Sequence, residues 1–508
     1  MNDNIAINKL SKYIEENLRV SDQTTINFID PRGHIPRLNS KQNQVIFGRR
    51  GSGKSLLVRT LNKNNYDSVF VKINIEDFKD VSFPNSILQV LINFFKQLDK
   101  RIDNHSSWYE FSKSSRGSKL SKKVQSKIKE FQSQLLLPDT YDESIKKTGS
   151  DKSGAAAKVS GAGAELSASG ETSSSTETQK SLQINKLDNL RNELTDLKEL
   201  VIEISNFLDK KYIFLVLDDF YFIKKSDQAK FVDFFHRLSK DTPIFLKVAT
   251  IKHRSALYSE VSGIISGIQI GHDAQPIELD YTLDQFQALS NFMWDLLRQA
   301  NTNSNAGVDL KALISDNAFK QLCLASGGVP RDFLALFIKL CNNVISGKTP
   351  ITKTDVNEIA IENYPNKLEN FKRDSAEERD LLEYYLKFLR NFMLTEKSTN
   401  ICLVCNNDIG GYSQIKQAIK ELVDLRLLHI VDTNTSSAPS DGKRYSAYII
   451  DIGLYPNSKP RNFKQIEPGI TDTAGRKDHI RSAPKVNLEQ FKIYIDGLNL
   501  THKLRETE

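Results

Sequence analysis

One run of eight residues, Gly48-Arg-Arg-Gly-Ser-Gly-Lys-Ser55, constrains this chain more than any other feature. It follows the apolar Val45-Ile46-Phe47 and precedes Leu56-Leu57-Val58-Arg59-Thr60-Leu61, which reads as a helix. The pattern G-x-x-x-x-G-K-[ST] acquires meaning in this strand–loop–helix setting. Glycines let backbone N–H groups turn inward around anionic oxygens. The following helix adds the partial positive charge of its N-terminus. The spacing predicts that Gly48, Arg49, Arg50, Gly51, Ser52, Gly53, Lys54, Ser55 and Leu56 cradle a chain of phosphates. In such a cradle Lys54 reaches the β- and γ-phosphates and Ser55 holds Mg²⁺. ATP and Mg²⁺ are the cofactors expected.

A chain of 508 residues exceeds one ordinary core, and about two to four domains are expected. The net charge of +7 permits nucleic-acid contact without requiring it. Among the cysteines Cys323, Cys341, Cys402 and Cys405, the pair Cys402-Leu-Val-Cys405 has zinc-like spacing. It lacks a second Cys/His pair, and apolar neighbours favour buried reduced thiols. So few cysteines suggest a reducing compartment. Met1 leads into Asn-Asp-Asn, which does not read as a signal peptide, and no apolar stretch reaches the length of a membrane span. The expected location is the cytoplasm, with no membrane partner.

Residues 1–40 read as a helix, Ile7 to Leu18, and a lead-in. A nucleotide-binding core is expected over 41–280. Its second strand is Ser68 to Ile75, and a helix covers Ser86 to Leu98. From 99 to 182 the chain turns polar and then low in complexity, as in Gly154-Ala-Ala-Ala and Ser173-Ser-Ser-Thr. Such sequence cannot offset its ordering entropy, so a mobile insertion is expected there. Its Lys113, Lys119, Lys122, Lys123, Lys127 and Lys129 suit a solvated helix face better than a nucleic-acid backbone. Leu190, Leu194, Leu197, Val201, Ile204 and Leu208 predict one helix over 183–209, packed on the central sheet. The buried-type strand Tyr212–Leu217 then ends in Asp218-Asp219. Asp218 is placed to organise Mg²⁺, and Asp219 to orient the attacking water. After a helix from Asp227 to Leu238, a third strand, Pro243–Ala249, ends at Thr250, a candidate sensor of the γ-phosphate. Lys252, His253 and Arg254 follow on the same loop and face phosphate, a neighbouring subunit or solvent. Strands alternating with helices predict a parallel sheet, with ligand at the carboxyl ends of the strands.

Residues 281–365 read as a helical lid. Within it Gly327-Gly-Val-Pro330-Arg331 opens a helix running to about Cys341, so Arg331 sits in a first turn and can be aimed at the γ-phosphate. Thr352 is placed to cap a further helix. Residues 376–455 give a long helix (Glu377–Met393), a second helix (Tyr412–Leu425), and strands Leu428–Asp432 and Tyr445–Ile450 around a polar loop. That is the outline of a winged helix. Lys416, Lys420, Lys443 and Arg444 are its candidate nucleic-acid contacts, with protein docking the alternative. In the tail, 456–508, Phe491–Ile495 reads as a late strand or a docking segment.

Phosphate loop, Asp-Asp strand, polar strand end, Gly-x-Pro-Arg helix and winged helix, in that order, resemble the AAA+ ATPases of the origin-recognition-complex initiator type and the related STAND signalling ATPases. The resemblance covers about 40–455 without the insertion. It implies an α/β fold: a P-loop NTPase parallel sheet core with helical lid and C-terminal winged helix. It makes Lys54 and Ser55 the phosphate and metal contacts, Asp218 the metal acid, Asp219 the catalytic acid, and Thr250 and Arg331 the two sensors. Initiator ATPases usually carry Asp-Glu where this chain has Asp218-Asp219, a methylene shorter in reach. STAND ATPases often carry the double aspartate and an arginine-containing loop. The resemblance further implies a homo-oligomeric, ATP-hydrolysing switch, with a neighbour's arginine (Arg254 is one candidate) assisting hydrolysis. A bacterial defence role follows from it, with an effector encoded nearby, since this chain shows no nuclease, protease or deaminase signature. The alternatives are a DNA-binding initiator or loader and a scaffold that binds only proteins.

Overall fold

The apolar runs that end in site-type residues fold as neighbouring parallel strands. The computed structural model describes the chain except residues 1, 21–23, 65–66, 107–110, 139, 146–179, 210–211, 262, 348–349, 375–378, 457–461, 470–477 and 506–508. It divides into two units, one of Met1–Lys79, Lys210–Ser239 and Pro243–Glu508, the other of Asp80–Asp209 and Lys240–Thr242.

The first unit opens with α1 (Asn2–Asn17), which buries Ile7, Leu10 and Ile14 at helical spacing. The one-turn α2 (His34–Leu38) starts on Asp30, whose carboxylate oxygens accept the His34 and Ile35 N–H groups. The buried β1 (Gln44–Phe47) leads through the glycine-rich loop into α3 (Lys54–Asn64). In β2 (Ser68–Asn74) burial alternates along the strand.

The second unit holds α4 (Asn85–Ser106), α5 (Phe111–Leu135), the antiparallel pair β3 (Thr140–Ile145) and β4 (Lys180–Asn185), α6 (Lys186–Asn192) and α7 (Leu194–Phe207). It corrects the expectation of unordered chain from residue 99. Leu120, Val124, Ile128 and Phe131 recur at helical spacing and are buried in α5, with the Phe131 ring 6.2 Å from Phe95 of α4. The stretch is polar on average yet amphipathic, and average composition hides a narrow apolar stripe. The Gly/Ala/Ser-rich run from 154 lies outside the described residues, as does the side chain of Lys113. Lys123 pairs with Glu203, and Lys127 with Glu130 and Glu193, so these cations serve the unit's own surface. The single helix expected over 183–209 is two, α6 and α7, divided at Glu193. Leu197, Val201 and Ile204 are buried in α7, which packs on α4 and α5 within this unit.

Back in the first unit, β5 (Tyr212–Asp218) is buried along its whole length. It is followed by α8 (Lys225–Ser239), β6 (Ile244–Thr250), a hairpin of β7 (Tyr258–Val261) and β8 (Ile264–Gly267), and β9 (Gln275–Glu278). The five-stranded sheet has the order β2-β5-β6-β1-β9 and every pairing is parallel. Because β6 lies between β1 and β5, Phe47 comes opposite Thr250, while Asn74 comes opposite Asp218. The hairpin and β9 were not anticipated. β9 contains Pro276 and stands at the sheet edge, where proline is tolerated but the apolar pattern is weak.

The region read as a helical lid, with the residues just beyond it, holds α9 (Phe286–Ser304), α10 (Leu310–Leu313), α11 (Asp316–Ala325), α12 (Pro330–Ile345), α13 (Lys353–Glu362) and α14 (Tyr364–Asp374). Thr352 and Asp355 form a capping box at α13. Next come α15 (Arg379–Arg390), β10 (Ile401–Cys405), α16 (Ser413–Asp424), β11 (Leu428–Ser436) and β12 (Arg444–Ile450), with the strands antiparallel in the order β10-β12-β11. Sequence reading misses β10: Ile401-Cys-Leu-Val-Cys405 is wholly buried, so it shows no alternation. Its two thiols are buried and carry no disulfide. The tail is not a strand. After α17 (Asp478–Arg481), residues Phe491–Ile495 lie in α18 (Leu488–Arg505), with Phe491 stacked on Phe388 of α15 at 4.0 Å. Pro484 and Val486 hydrogen-bond to Leu403 and cover the outer edge of β10. One hydrophobic cluster runs through α1, the lid, the three-stranded region and α18. None of the described helices is long and apolar enough to cross a membrane.

If the tail is part of this fold, Phe491→Ala should cost about 3–5 kcal/mol. Chemical denaturation measures it; a loss below about 1 kcal/mol would show the tail to be a loose appendage.

Candidate nucleotide site

The glycine-rich loop is tied to the sheet at its first residue, where the Gly48 N–H donates to the Thr250 carbonyl at 3.1 Å. Gly51 (φ 89°) and Gly53 (φ 99°) take left-handed conformations that other residues rarely adopt. Space is also short at Gly51, where a Cβ would lie 2.8 Å from Arg331 Cβ and 3.1 Å from Val329 Cγ1. Lys54 opens α3 and is buried, its Nζ donating to the Gly48 carbonyl at 2.8 Å and the Arg49 carbonyl at 3.3 Å. Burial pushes its pKa down, opposed by the charges of Asp219, Asp218 and Asp280. Ser55 and Leu56 follow, partly exposed, in the first turn of α3. Ser52 is buried beneath the loop.

The two loop arginines differ. Arg49 braces the loop from below: its N–H donates to both carboxylate oxygens of Asp280, at 3.0 and 3.1 Å, and its guanidinium to the Tyr281 carbonyl at 2.9 Å. Arg50 is partly exposed, and its charge acts on both Asp219 and Arg331. Asp280, which closes the chain just beyond β9, was not anticipated. The signal was an acid following a strand that sequence reading did not recognise.

The carboxylates converge on the same place. Asp218 ends β5 with its side chain 3% exposed. Its Oδ1 accepts the Asp219 N–H at 3.1 Å, and its Oδ2 pairs with Lys72 Nζ, from the adjacent β2, at 2.8 Å. Asp219 is left-handed (φ 53°), a conformation aspartate tolerates. Burial and the Asp218 charge raise its pKa, with Lys54 acting the other way. Thr250 is fully buried at the end of β6, its hydroxyl shared with Ser255. Arg331, second residue of α12, donates its N–H to the Gly51 carbonyl at 3.3 Å. Burial lowers its pKa, and Asp219 is among the charges it feels. Lys54, Asp218, Asp219 and Arg331 thus come together from three separated stretches. A buried ammonium, left-handed glycines, a helix N-terminus, a hydroxyl at Ser55 and a carboxylate at Asp218 form a donor set that fits a triphosphate with a hard, oxygen-seeking cation.

The C-terminal region reaches this site from two directions. Gln417 of α16 donates to the His253 carbonyl at 3.1 Å, and Asp424 accepts the His253 N–H at 2.9 Å. Arg426 grips Asp332, the neighbour of Arg331, with contacts of 2.7 and 2.8 Å. The His429 ring lies on Gly327, where a Cβ would sit 2.1 Å from its Cε1. His429 Nε2 meets Asp451 at 2.9 Å. Burial would raise Asp451, but Lys367 and His429 hold it down at about 2. None of these contacts was legible beforehand, because each joins residues far apart in sequence.

The four basic candidates of this region separate into two pairs. Lys416 is exposed on α16, and Lys420, half exposed, feels the charges of Lys416 and Lys252. Lys443 is paired with Asp408 at 2.7 Å, and the Arg444 backbone N–H donates to Asn407 at 3.1 Å. Arg254 lies over the Tyr221 ring at 5.6 Å.

No family model matches the chain, and no curated protein matches it. Among solved structures it is similar to the Aeropyrum pernix ORC1 protein in complex with DNA, at 9% identity, over 87% of this chain and 93% of that one, with a TM-score of 0.34. A score so low does not establish a shared arrangement, so the α/β assignment rests on the parallel sheet and its loop.

Asp424 supplies a pH test. Burial lifts its carboxyl to about 7, with Asp280 adding and the His253 N–H and Arg49 opposing. A folded pKa above the ordinary value means that its contribution to stability is present at low pH and lost as pH rises through about 7. Between about pH 5 and pH 8 the Tm of the wild type should therefore fall relative to that of Asp424→Asn, which keeps an acceptor for His253. Parallel curves would refute the assignment.

Proposed function

We propose that the chain is an ATP-driven switch of the AAA+/STAND kind, in which α15, β10, α16, β11 and β12 form a winged helix read out by the nucleotide site. One observation carries the reading: this region holds both nucleotide-facing elements at once. It holds the loop after Thr250 through Asp424 and Gln417, and the start of the Arg331 helix through Arg426. A movement of Thr250 or Arg331 toward a γ-phosphate strains those contacts, and differential contact is what lets a ligand bias two states.

The residues divide the work. The loop N–H groups and Lys54 bind the phosphates. Ser55 and Asp218 hold Mg²⁺, which when bound neutralises charge on the phosphates. Asp219 orients water once ionised. Its raised pKa means that hydrolysis weakens as pH falls, from above the ordinary carboxylate range. Arg331 draws the lid onto the phosphates. Release of α16 would then uncover the half-buried Lys420 beside the already exposed Lys416, a surface suited to DNA phosphates. That supports a DNA-linked output, in homo-oligomers or with another protein. The alternative of an initiator or loader shares this surface; a protein scaffold does not need it. Antiviral defence with a nearby effector is read from the sequence resemblance alone, and the cytoplasmic location from the sequence's few cysteines and its lack of a signal-peptide or membrane-span pattern.

Lys54→Ala should abolish ATP binding by calorimetry. Asp219→Asn should bind ATP and hydrolyse it about a hundredfold or more slowly. Equal ATP affinity in wild type and Lys54→Ala would end the proposal. Arg426→Ala removes the grip on Asp332 and should speed nucleotide release in stopped-flow measurements while leaving Lys54 and Asp218 untouched; an unchanged release rate would show the winged helix and lid to be uncoupled.

A further inference from the structure

β2, at one edge of the sheet, carries one lysine among its central apolar residues. Val69, Val71 and Ile73 are buried on one face, while Phe70 and Lys72 lie partly exposed on the other. Lys72 is in register with Val216, so its side chain runs along β5 toward Asp218 and meets Oδ2 at 2.8 Å. The two ends of this pair differ in access: the lysine side chain is 36% exposed and the aspartate 3%. The other oxygen of Asp218 accepts the Asp219 N–H. The carboxylate whose chemistry suits a hard divalent cation therefore already has an ammonium against it, brought by the neighbouring strand.

We propose that Lys72 is the resident counter-ion of Asp218, and that a divalent cation arriving with nucleotide takes its place. The inference rests on the reading of Asp218 as the metal acid. A buried carboxylate without a counter-charge is costly, so Lys72 keeps the strand end stable when no metal is bound. An ammonium is a compact charge on a flexible stem, and its exposed side gives it a route into water. Two cations held against one carboxylate repel each other, so binding the metal means moving the lysine. Lys72 thus sets the metal concentration at which the site engages nucleotide. Its position on β2 was hidden in sequence because the pairing of β2 with β5 spans the whole second unit.

The test uses the full chain, with Lys72→Met, which keeps length and loses charge, beside Lys72→Arg. Thermal unfolding is followed in EDTA and in MgCl2 alone, and binding of a fluorescent ATP analogue is titrated with Mg²⁺. Lys72→Met should melt lower than wild type in EDTA and regain that loss in MgCl2 alone, where wild type and Lys72→Arg barely respond. Half-maximal analogue binding should need about tenfold less Mg²⁺ in Lys72→Met than in wild type. If Lys72→Met does not fold in either medium, Lys72→Gln takes the same titrations. A melting loss that Mg²⁺ does not restore, together with an unchanged Mg²⁺ requirement, overturns the proposal and makes Lys72 a packing residue. Asp218→Asn separates the two layers: if its Mg²⁺ requirement equals that of wild type, it is the metal-acid reading that fails; if it rises while Lys72→Met is unchanged, only the counter-ion inference fails.

Discussion

A buried ammonium needs negative partners, and much of this molecule answers that need. Lys54 lies inside the loop that opens α3, where water cannot solvate it well, and it is held by two backbone carbonyls. Asp218, Asp219 and Asp280 act on it from β5 and from the turn beyond β9. These strands stand on opposite sides of β1 in the sheet order, so the order itself lets carboxylates approach the loop from both flanks. Burial raises the pKa of Asp219, and the adjacent charge of Asp218 adds to it. In the proposed function, a phosphate chain brings the negative charge that the loop N–H groups and Lys54 would receive.

The lid and the C-terminal region make sense as additions to that charge balance. Arg331 contributes positive charge through a contact so close that Gly51 admits no side chain. Its neighbour Asp332 hands the position of the helix on to Arg426, and His253, beyond Thr250, hands the position of the loop after β6 on to Asp424. Two rods of structure therefore end on one small sheet-and-helix body. The glycine at 327 serves the same end, since only a bare backbone leaves room for the His429 ring.

How far this was legible in sequence follows from the range of each interaction. The loop Gly48–Ser55, the strand ending in Asp218-Asp219, the strand ending at Thr250 and the cap at Thr352 are local patterns, and each element stands where local pattern puts it. α5 escaped because its stripe is narrow in a lysine-rich stretch, and β10 because a strand buried on both faces has no period to detect. Phe491–Ile495 read as a late strand or a docking segment, but packing of Phe491 on α15 decided for helix. Lys72, Asp280, Arg426 and His429 depend on pairings between distant segments, which one sequence does not reveal.

The shared hydrophobic cluster has a consequence for biosynthesis. Ile7, Leu10 and Ile14 near one end of the chain and Phe491 and Ile495 near the other are buried in the same oily mass. A nascent polypeptide can shape its sheet first, yet α1 must wait for α9 and α12, the helices it packs on, before its greasy face is covered. The same α12 brings Arg331 against Gly51, so one late segment completes both the cover of the N-terminal helix and the closure over the glycine-rich loop.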